Sequence, residues 1–309
     1  MIRSIRIYIT EKCNANCPTC FNSNSRTNAE LSFQKFEKIC NLFSQNGIEH
    51  IKIMGGEPTI PPLFNEFILY AQSKFKYVHV FTNAINDIII NLRLREDDCI
   101  VYNFAFSKCI NSDKLLLQQP GKRALEIQIG VNTHVEHLLN EILRVYSLAT
   151  DKVTCVLTMD CTENIFKNKS ILREKYLKIW KYCQDNKIPL YQDHKIPLCW
   201  LAGTGIPVLY NDTSICDIQC AGLIDAQGNL KHCNQFPEPL ISIFDNEKIL
   251  PYEIICNYIK LAHHNIAKTA LEKICISCIF YGSKCNGGCF ISKSKIYAQD
   301  IINNSIFPK

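Results

Sequence analysis

The distribution of cysteines constrains this chain more than any other feature. The sequence has 18 cysteines, and ten of them fall into three close groups: Cys13, Cys17 and Cys20; Cys216, Cys220 and Cys233; and Cys275, Cys278, Cys285 and Cys289. The N-terminus, MIRSIRIYIT, leads directly into a strand-like pattern and lacks the apolar segment of a signal peptide, so we expect a cytoplasmic protein. Because disulfides are rare in a reducing cytosol, close cysteine spacing there indicates metal binding.

The other eight cysteines stand singly in apolar or helical contexts. We interpret them as small hydrophobic residues of the core: Cys40, Cys99, Cys109, Cys155, Cys161, Cys183, Cys199 and Cys256.

Residues 1–200 alternate strand-like and helix-like segments. Six strands are predicted in strand–helix order before residue 165, at 5–10, 50–54, 77–82, 100–106, 125–131 and 152–159. This alternation predicts a parallel sheet with helices outside it. Six units are too few for a closed eight-stranded barrel, which leaves a partial barrel or an open twisted sheet.

After about residue 195 the sequence changes character. Cysteines, glycines and short strand-like runs dominate, so we expect a first domain at 1–200 and a small cysteine-rich α+β domain at 201–309. A net charge of +5 is spread along the chain without a basic run, and no segment approaches 18 uninterrupted apolar residues. We therefore expect neither nucleic-acid binding nor a membrane span.

The first cysteine group, Cys13-x3-Cys17-x2-Cys20, lies in the loop after the first predicted strand. Three thiolates leave one iron of a four-iron cluster without a protein ligand, an arrangement that suits chemistry on a bound substrate. The alternative is a zinc site completed by a distant His or Cys. Gly55-Gly56-Glu57-Pro58 follows the second predicted strand. Since functional loops lie at the carboxyl ends of parallel strands, both loops should open on the same rim.

CNANCPTC at 13–20 and GGEP at 55–58 together resemble the signature of the radical SAM family. The resemblance implies a partial (β/α)6 TIM barrel and a [4Fe–4S] cluster held by the three cysteines, with the amino and carboxylate groups of S-adenosylmethionine (SAM) chelating the fourth iron. It further implies that Gly55 and Gly56 let the backbone approach the methionyl amino group and that Glu57 supports this contact, next to Pro58.

The resemblance also implies weaker assignments around the SAM pocket. Asn83, after the third strand, and Ser107, after the fourth, occupy positions resembling those that line it. The family usually has an aromatic residue immediately before the third cysteine, whereas this chain has Thr19 there. Phe21 is the candidate substitute for packing against adenine.

The C-terminal cysteines resemble the SPASM extension of radical SAM proteins. That resemblance implies a first auxiliary [4Fe–4S] cluster on Cys216, Cys220, Cys233 and Cys289, and a second on Cys275, Cys278 and Cys285. The family's final cysteine is missing, so the second cluster has an oxygen ligand (Asp300 is the candidate), has an open iron, or is absent. Zinc binding by these C-x2-C pairs is the alternative.

The function that the resemblance implies is reductive cleavage of SAM to a 5′-deoxyadenosyl radical, which abstracts hydrogen from a substrate. A ribosomally made peptide undergoing crosslinking, epimerisation or oxidation is favoured, although the chain starts at its first strand, without a leader-binding domain ahead of it. The alternatives are oxidation or decarboxylation of a sugar- or nucleoside-type molecule, and a non-catalytic zinc scaffold.

The expected partner is an electron donor such as flavodoxin or ferredoxin. Asp193 is a candidate base, and Cys155, Cys161 and Cys199 are candidate hydrogen donors.

Overall fold

A computed structural model describes residues 4–17, 20, 27–103, 121–148, 153–159, 168–192, 220–232 and 239–269. The part of the chain so described is dominated by one ten-stranded sheet with helices packed along it. No helix in these ranges is long and apolar enough to cross a membrane.

Seven parallel strands pair in the order in which they occur along the chain: β1 (Ser4–Thr10), β2 (His50–Gly55), β3 (Tyr77–Thr82), β4 (Cys99–Asn103), β5 (Lys122–Ile129), β6 (Val153–Met159) and β7 (Leu190–Gln192). The helices between them are α1 (Phe33–Gln45), α2 (Phe64–Lys74), a 3₁₀ helix (Asp87–Asn91), α3 (Val135–Leu148) and α4 (Lys169–Asp185). The predicted α/β partial barrel is confirmed. Its seventh strand, β7, was not predicted.

The sheet continues beyond β1 with strands from the C-terminal part of the chain. β8 (Cys220–Ile224) pairs with β1 in parallel, and the antiparallel strands β9 (Asn229–Lys231) and β10 (Ile241–Ser242) follow it. A two-stranded sheet of β11 (Phe244–Asp245) and β12 (Lys248–Ile249) precedes α5 (Tyr252–Thr269). Three strands of the predicted second domain, β8 to β10, therefore extend the sheet of the first.

The two faces of the sheet are distinguished by strand alternation. On β1, Ile5, Ile7 and Ile9 are fully buried in the same hydrophobic core as Phe36 and Phe43 of α1. That helix begins after Ser32, whose hydroxyl accepts the backbone N–H of Lys35 at 3.3 Å.

The opposite face carries a separate apolar cluster. Tyr8 and Met54 pack there with Leu223 and Ala226, and Phe81 lies against them. The inner side of the partial barrel is therefore filled near β1 and β2 rather than empty.

Candidate active site

The loops that follow β1 and β2 meet at one edge of the sheet. Thr10 pairs with Gly55 at the end of the β1–β2 ladder. Beyond the ladder, the backbone N–H of Gly56 donates to the carbonyl of Thr10 at 2.9 Å, and that of Glu57 donates to the carbonyl of Lys12 at 2.7 Å. The expectation that the two motif-bearing loops share a rim is confirmed.

Gly55 and Gly56 make this contact sterically feasible. A Cβ on Gly55 would lie 2.1 Å from the carbonyl oxygen of Thr10, and one on Gly56 would lie 2.1 Å from that of Lys12. Gly55 also has a φ of +148°, which residues other than glycine rarely adopt. The missing side chains thus allow the loop after β2 to lie against the loop after β1, a reason for these glycines that could not be read from the sequence.

The three cysteines of the first group lie in the loop after β1. Cys13, Cys17 and Cys20 are half-buried and form no disulfide. The backbone N–H of Cys20 donates to the carbonyl of Cys17 at 3.2 Å, which brings the last two into one turn. Three thiols on one loop fit an iron–sulfur cluster that keeps one iron open, since such clusters are held by thiolates. In the described ranges, no three His, Cys, Asp or Glu side chains converge tightly enough to hold a single metal ion.

The ends of this cysteine loop are joined at its base. The returning chain lies alongside β1: the backbone N–H of Glu11 donates to the carbonyl of Ala29 at 2.9 Å, and that of Leu31 donates to the carbonyl of Ile9 at 3.0 Å. The carboxylate of Glu11, 2% exposed, accepts the backbone N–H of Thr27 at 3.1 Å. The fixed base limits how far the loop that carries the thiols can move.

Glu57 links the loop after β2 to the loop after β3. Its carboxylate is 1% exposed and accepts four hydrogen bonds: from the N–H of Thr59 at 3.2 Å and its hydroxyl at 2.6 Å, from the hydroxyl of Thr82 at 2.8 Å, and from the backbone N–H of Asn83 at 2.7 Å. Burial raises the pKa of Glu57, and these hydrogen bonds oppose the rise. Its direct contacts are therefore with protein groups on two loops.

The structure describes only some of the other residues predicted for the site. Asn83 is buried at the end of β3 and Pro58 is buried beside Glu57, so the structure brings both to the rim. Phe21, Ser107 and Asp193 lie outside the described residues. Their roles stay predictions, as do the SAM contacts of the residues at the rim.

Three further polar residues belong to this rim and were not predicted from the sequence. They lie in its three loops and share a hydrogen-bonded network with Glu57: Asn14, Thr59 and Asn86. Their only sequence signal is that they are polar and follow strands.

Among the C-terminal candidates, only Cys220 lies in the described ranges. The backbone of Cys220 starts β8 and pairs with that of Ser4, at the edge of the sheet opposite to the rim. At about 3.3 Å per residue, the length of β1 separates the two edges by roughly 20 Å. The remaining candidates lie outside the described residues: Cys216, Cys233, Cys275, Cys278, Cys285, Cys289 and Asp300.

The structure contradicts one of the hydrogen-donor candidates. Cys155 on β6 is buried in the core between the sheet and the helices, where its thiol interacts with that of Cys183 on α4. It faces away from the inner side of the partial barrel and is therefore wrong as a donor to a substrate there. Cys161 and Cys199 lie outside the described residues.

Comparison with known proteins identifies the N-terminal region. Residues 7–97 match the family model of the radical SAM superfamily. Similar curated proteins include the antilisterial bacteriocin subtilosin biosynthesis protein AlbA of Bacillus subtilis, 34% identical over 77 residues, which are 25% of this chain and 17% of that protein. The sporulation killing factor maturation protein SkfB of the same species is 30% identical over 84 residues, 27% of this chain and 20% of that protein.

A probable GTP 3′,8-cyclase of Methanothermobacter marburgensis is 32% identical over 94 residues, 29% of this chain and 31% of that protein. The matched segments thus span less than a third of the length of each of these three relatives.

Solved structures share the fold over most of the chain. Streptococcus suis SuiB bound to precursor peptide SuiA has a TM-score of 0.63 at 14% identity, over 90% of this chain and 69% of that one. Native anSMEcpe with bound AdoMet and Cp18Cys peptide has a TM-score of 0.65 at 13% identity, over 97% of this chain and 94% of that one. Residues 7–97 are thus similar to the radical SAM superfamily, and the two loops that meet at the rim lie within this segment.

Proposed function

We propose that this chain is a radical SAM enzyme that modifies a ribosomally made peptide. Cys13, Cys17 and Cys20 would hold a [4Fe–4S] cluster, and SAM would bind at the rim formed by the loops after β1, β2 and β3. The observation that carries this proposal is the backbone contact between the cysteine loop and the Gly55–Glu57 loop, at 2.7 and 2.9 Å.

The bound cluster would supply the electron that cleaves SAM reductively, and the resulting radical would take hydrogen from the substrate. The chain's own residues would hold these groups in place. Gly55 and Gly56 keep the two loops in contact, and Glu57 fixes the third loop against the second through Thr82 and Asn83. Rigid positioning is the contribution that a protein makes when a cofactor carries the chemistry.

Several comparisons support a peptide as the substrate. AlbA and SkfB are named for bacteriocin biosynthesis and killing-factor maturation. SuiB and anSMEcpe were solved with peptides bound, and their folds match 90% and 97% of this chain. These likenesses favour crosslinking, epimerisation or oxidation of a peptide.

A nucleotide substrate is the second candidate. It is favoured by the similarity to probable GTP 3′,8-cyclases, which includes a match of 36% identity over 87 residues in Methanococcus maripaludis. Because that match covers 27% of this chain, it supports SAM binding more than it supports a particular substrate.

The C-terminal cysteines would hold one or two auxiliary clusters in a SPASM-like domain at 201–309. The position of Cys220 supports this assignment in part, because its backbone begins the strand that extends the sheet past β1. A cluster at that edge, roughly 20 Å from the rim, would serve as a relay, with flavodoxin or ferredoxin as the external donor.

The test is formation of 5′-deoxyadenosine by anaerobically reconstituted, reduced protein given SAM. The wild type should form it, and the triple variant with Cys13, Cys17 and Cys20 replaced by alanine should not. Cys256→Ala is the matched control, since this cysteine is buried on α5 in the helix layer. Metal analysis that finds zinc and no iron, with no 5′-deoxyadenosine, would favour a zinc scaffold instead.

The substrate class is tested in the same assay. A short precursor peptide encoded beside the gene and GTP are supplied separately, and products are analysed by mass spectrometry. A peptide with an altered mass supports the first candidate, whereas conversion of GTP supports the second.

A further inference from the structure

Five polar residues at the rim form a closed ring of hydrogen bonds. Asn83 donates from its side-chain Nδ2 to Oδ1 of Asn14 at 2.7 Å, Asn14 donates from Nδ2 to Oδ1 of Asn86 at 3.1 Å, and Asn86 donates from Nδ2 to Oγ1 of Thr59 at 2.8 Å. Thr59 donates to the carboxylate of Glu57 at 2.6 Å, and the backbone N–H of Asn83 donates to the same carboxylate at 2.7 Å, which closes the ring. The ring connects all three loops.

The direction of every bond in the ring follows from the carboxylate. An ionised Glu57 only accepts, so the hydroxyl of Thr59 must donate to it and is left to accept. Asn86 must then turn its NH₂ group toward Thr59 and its oxygen toward Asn14. Asn14 in turn must present its NH₂ group to Asn86 and its oxygen to Asn83. The orientation of an amide between two cysteines of the motif is thus set by the buried Glu57.

Resting on the proposed function, we infer that Asn14 is a positioning residue for SAM binding. It is the one member of the ring in the cysteine loop, next to Cys13, and both ends of its side-chain amide are used. Through it the cysteine loop is held against the loop after β3, independently of the backbone contact at Gly56. SAM would bind across these loops, so a loosened ring should weaken SAM binding while the three thiols still retain the cluster.

The chain offers a matched control for this inference. Asn16 is the same residue type, lies between the same two cysteines and is exposed, but takes no part in the ring. Asn14→Ala and Asn16→Ala are compared in reconstituted, reduced protein titrated with SAM, with the electron paramagnetic resonance spectrum of the reduced cluster as the readout and iron content as the second measurement.

Asn14→Ala removes both hydrogen bonds of the side-chain amide. It should keep the iron content of the wild type and bind SAM about fivefold more weakly. Asn16→Ala should match the wild type. Asn83→Ala keeps its backbone N–H to Glu57 but loses its bond to Asn14 and the bond that its side-chain oxygen accepts from the backbone N–H of Ile85. It should resemble Asn14→Ala, and the double variant should weaken SAM binding by less than the product of the two single effects, because the two variants share one broken bond.

Equal SAM affinity in Asn14→Ala and Asn16→Ala would overturn the inference. Loss of iron in Asn14→Ala but not in Asn16→Ala would also overturn it, because Asn14 would then be needed to retain the cluster. A wild-type spectrum that SAM does not change would be a different failure. It would remove the proposed function itself, and the positioning role with it.

Discussion

The carboxylate of Glu57 accepts the backbone N–H of Asn83 at 2.7 Å, so the loop after β2 is fastened to the loop after β3. Because both carboxylate oxygens accept N–H groups, no orientation of an amide at this position can satisfy all of the donors. The acidic residue of the motif therefore serves as an anchor between loops.

Glu57→Gln should destabilise the protein by about 1–3 kcal/mol, because at least one buried donor would face the new NH₂ group. SAM-dependent formation of 5′-deoxyadenosine should fall with it. Thermal unfolding and the cleavage assay measure the two effects, with Glu66→Gln as the control, since Glu66 is exposed on α2. A Glu57→Gln protein as stable and as active as this control would contradict the anchor role.

Gly56→Ala should separate the loops after β1 and β2. The added Cβ would lie 2.1 Å from the carbonyl oxygen of Lys12 and 2.5 Å from that of Glu11, both on backbone that cannot rotate away. We expect a loss of about 1–3 kcal/mol in unfolding free energy, typical of overpacked sites, and loss of SAM cleavage.

Gly47→Ala is the control for this substitution. Gly47 has a φ of +78°, and nothing lies within 4 Å of the position that a Cβ would take there. Alanine at this position therefore costs about 1 kcal/mol of backbone strain and creates no clash. Its cleavage activity should equal that of the wild type. Equal activity in Gly56→Ala and Gly47→Ala would show that close contact of the loops is not required.

The sequence was sufficient for the features that depend on local pattern. Alternation along the chain predicted β1 to β6 with helices outside the sheet, and the motif spacing placed the two loops on one rim. Pairing of β8 with β1 could not be predicted, because it joins segments more than 200 residues apart and register is set by tertiary packing. The hydrogen bonds of Asn14 could not be predicted either, because an exposed asparagine between two cysteines has the sequence pattern of any polar loop residue.

The core position of Cys155, expected for each of the eight isolated cysteines, follows from β6 itself. Val153, Cys155 and Leu157 alternate onto the same face of that strand and are all buried against the helices. The hydrogen bond with Cys183, together with burial, raises the pKa of Cys155, so its thiol stays protonated.

Cys155→Ala should therefore leave 5′-deoxyadenosine formation and substrate modification unchanged, while it lowers the unfolding free energy by about 1–2 kcal/mol through lost packing. Quantifying the modified product by mass spectrometry and measuring stability separates the two effects. Loss of product with 5′-deoxyadenosine intact would restore Cys155 as a hydrogen donor and contradict its placement.

Two histidines on the inner side of the sheet should make the stability of the protein depend on pH. The rings of His50 on β2 and His79 on β3 lie 4.1 Å apart between centroids. Burial, then Lys52, lowers the pKa of His50 to about 4. Burial, then His50 and Lys52, lowers the pKa of His79 to about 3, with Lys122 adding to the decrease and Asp98 opposing it. Both imidazoles are therefore neutral in the folded protein at neutral pH.

A histidine whose pKa is lower in the folded state takes up a proton on unfolding. Stability should thus be greatest above the unfolded pKa near 6.5 and should fall as the pH decreases from there toward 4, by roughly 1 kcal/mol per pH unit for each histidine. His79→Gln should remove about half of this slope between pH 7 and 5, measured by anaerobic chemical denaturation. His134→Gln is the control, because it makes the same substitution at an exposed position. A slope unchanged by His79→Gln would contradict this prediction, because His79 would then take up a proton as readily in the folded protein as in the unfolded one.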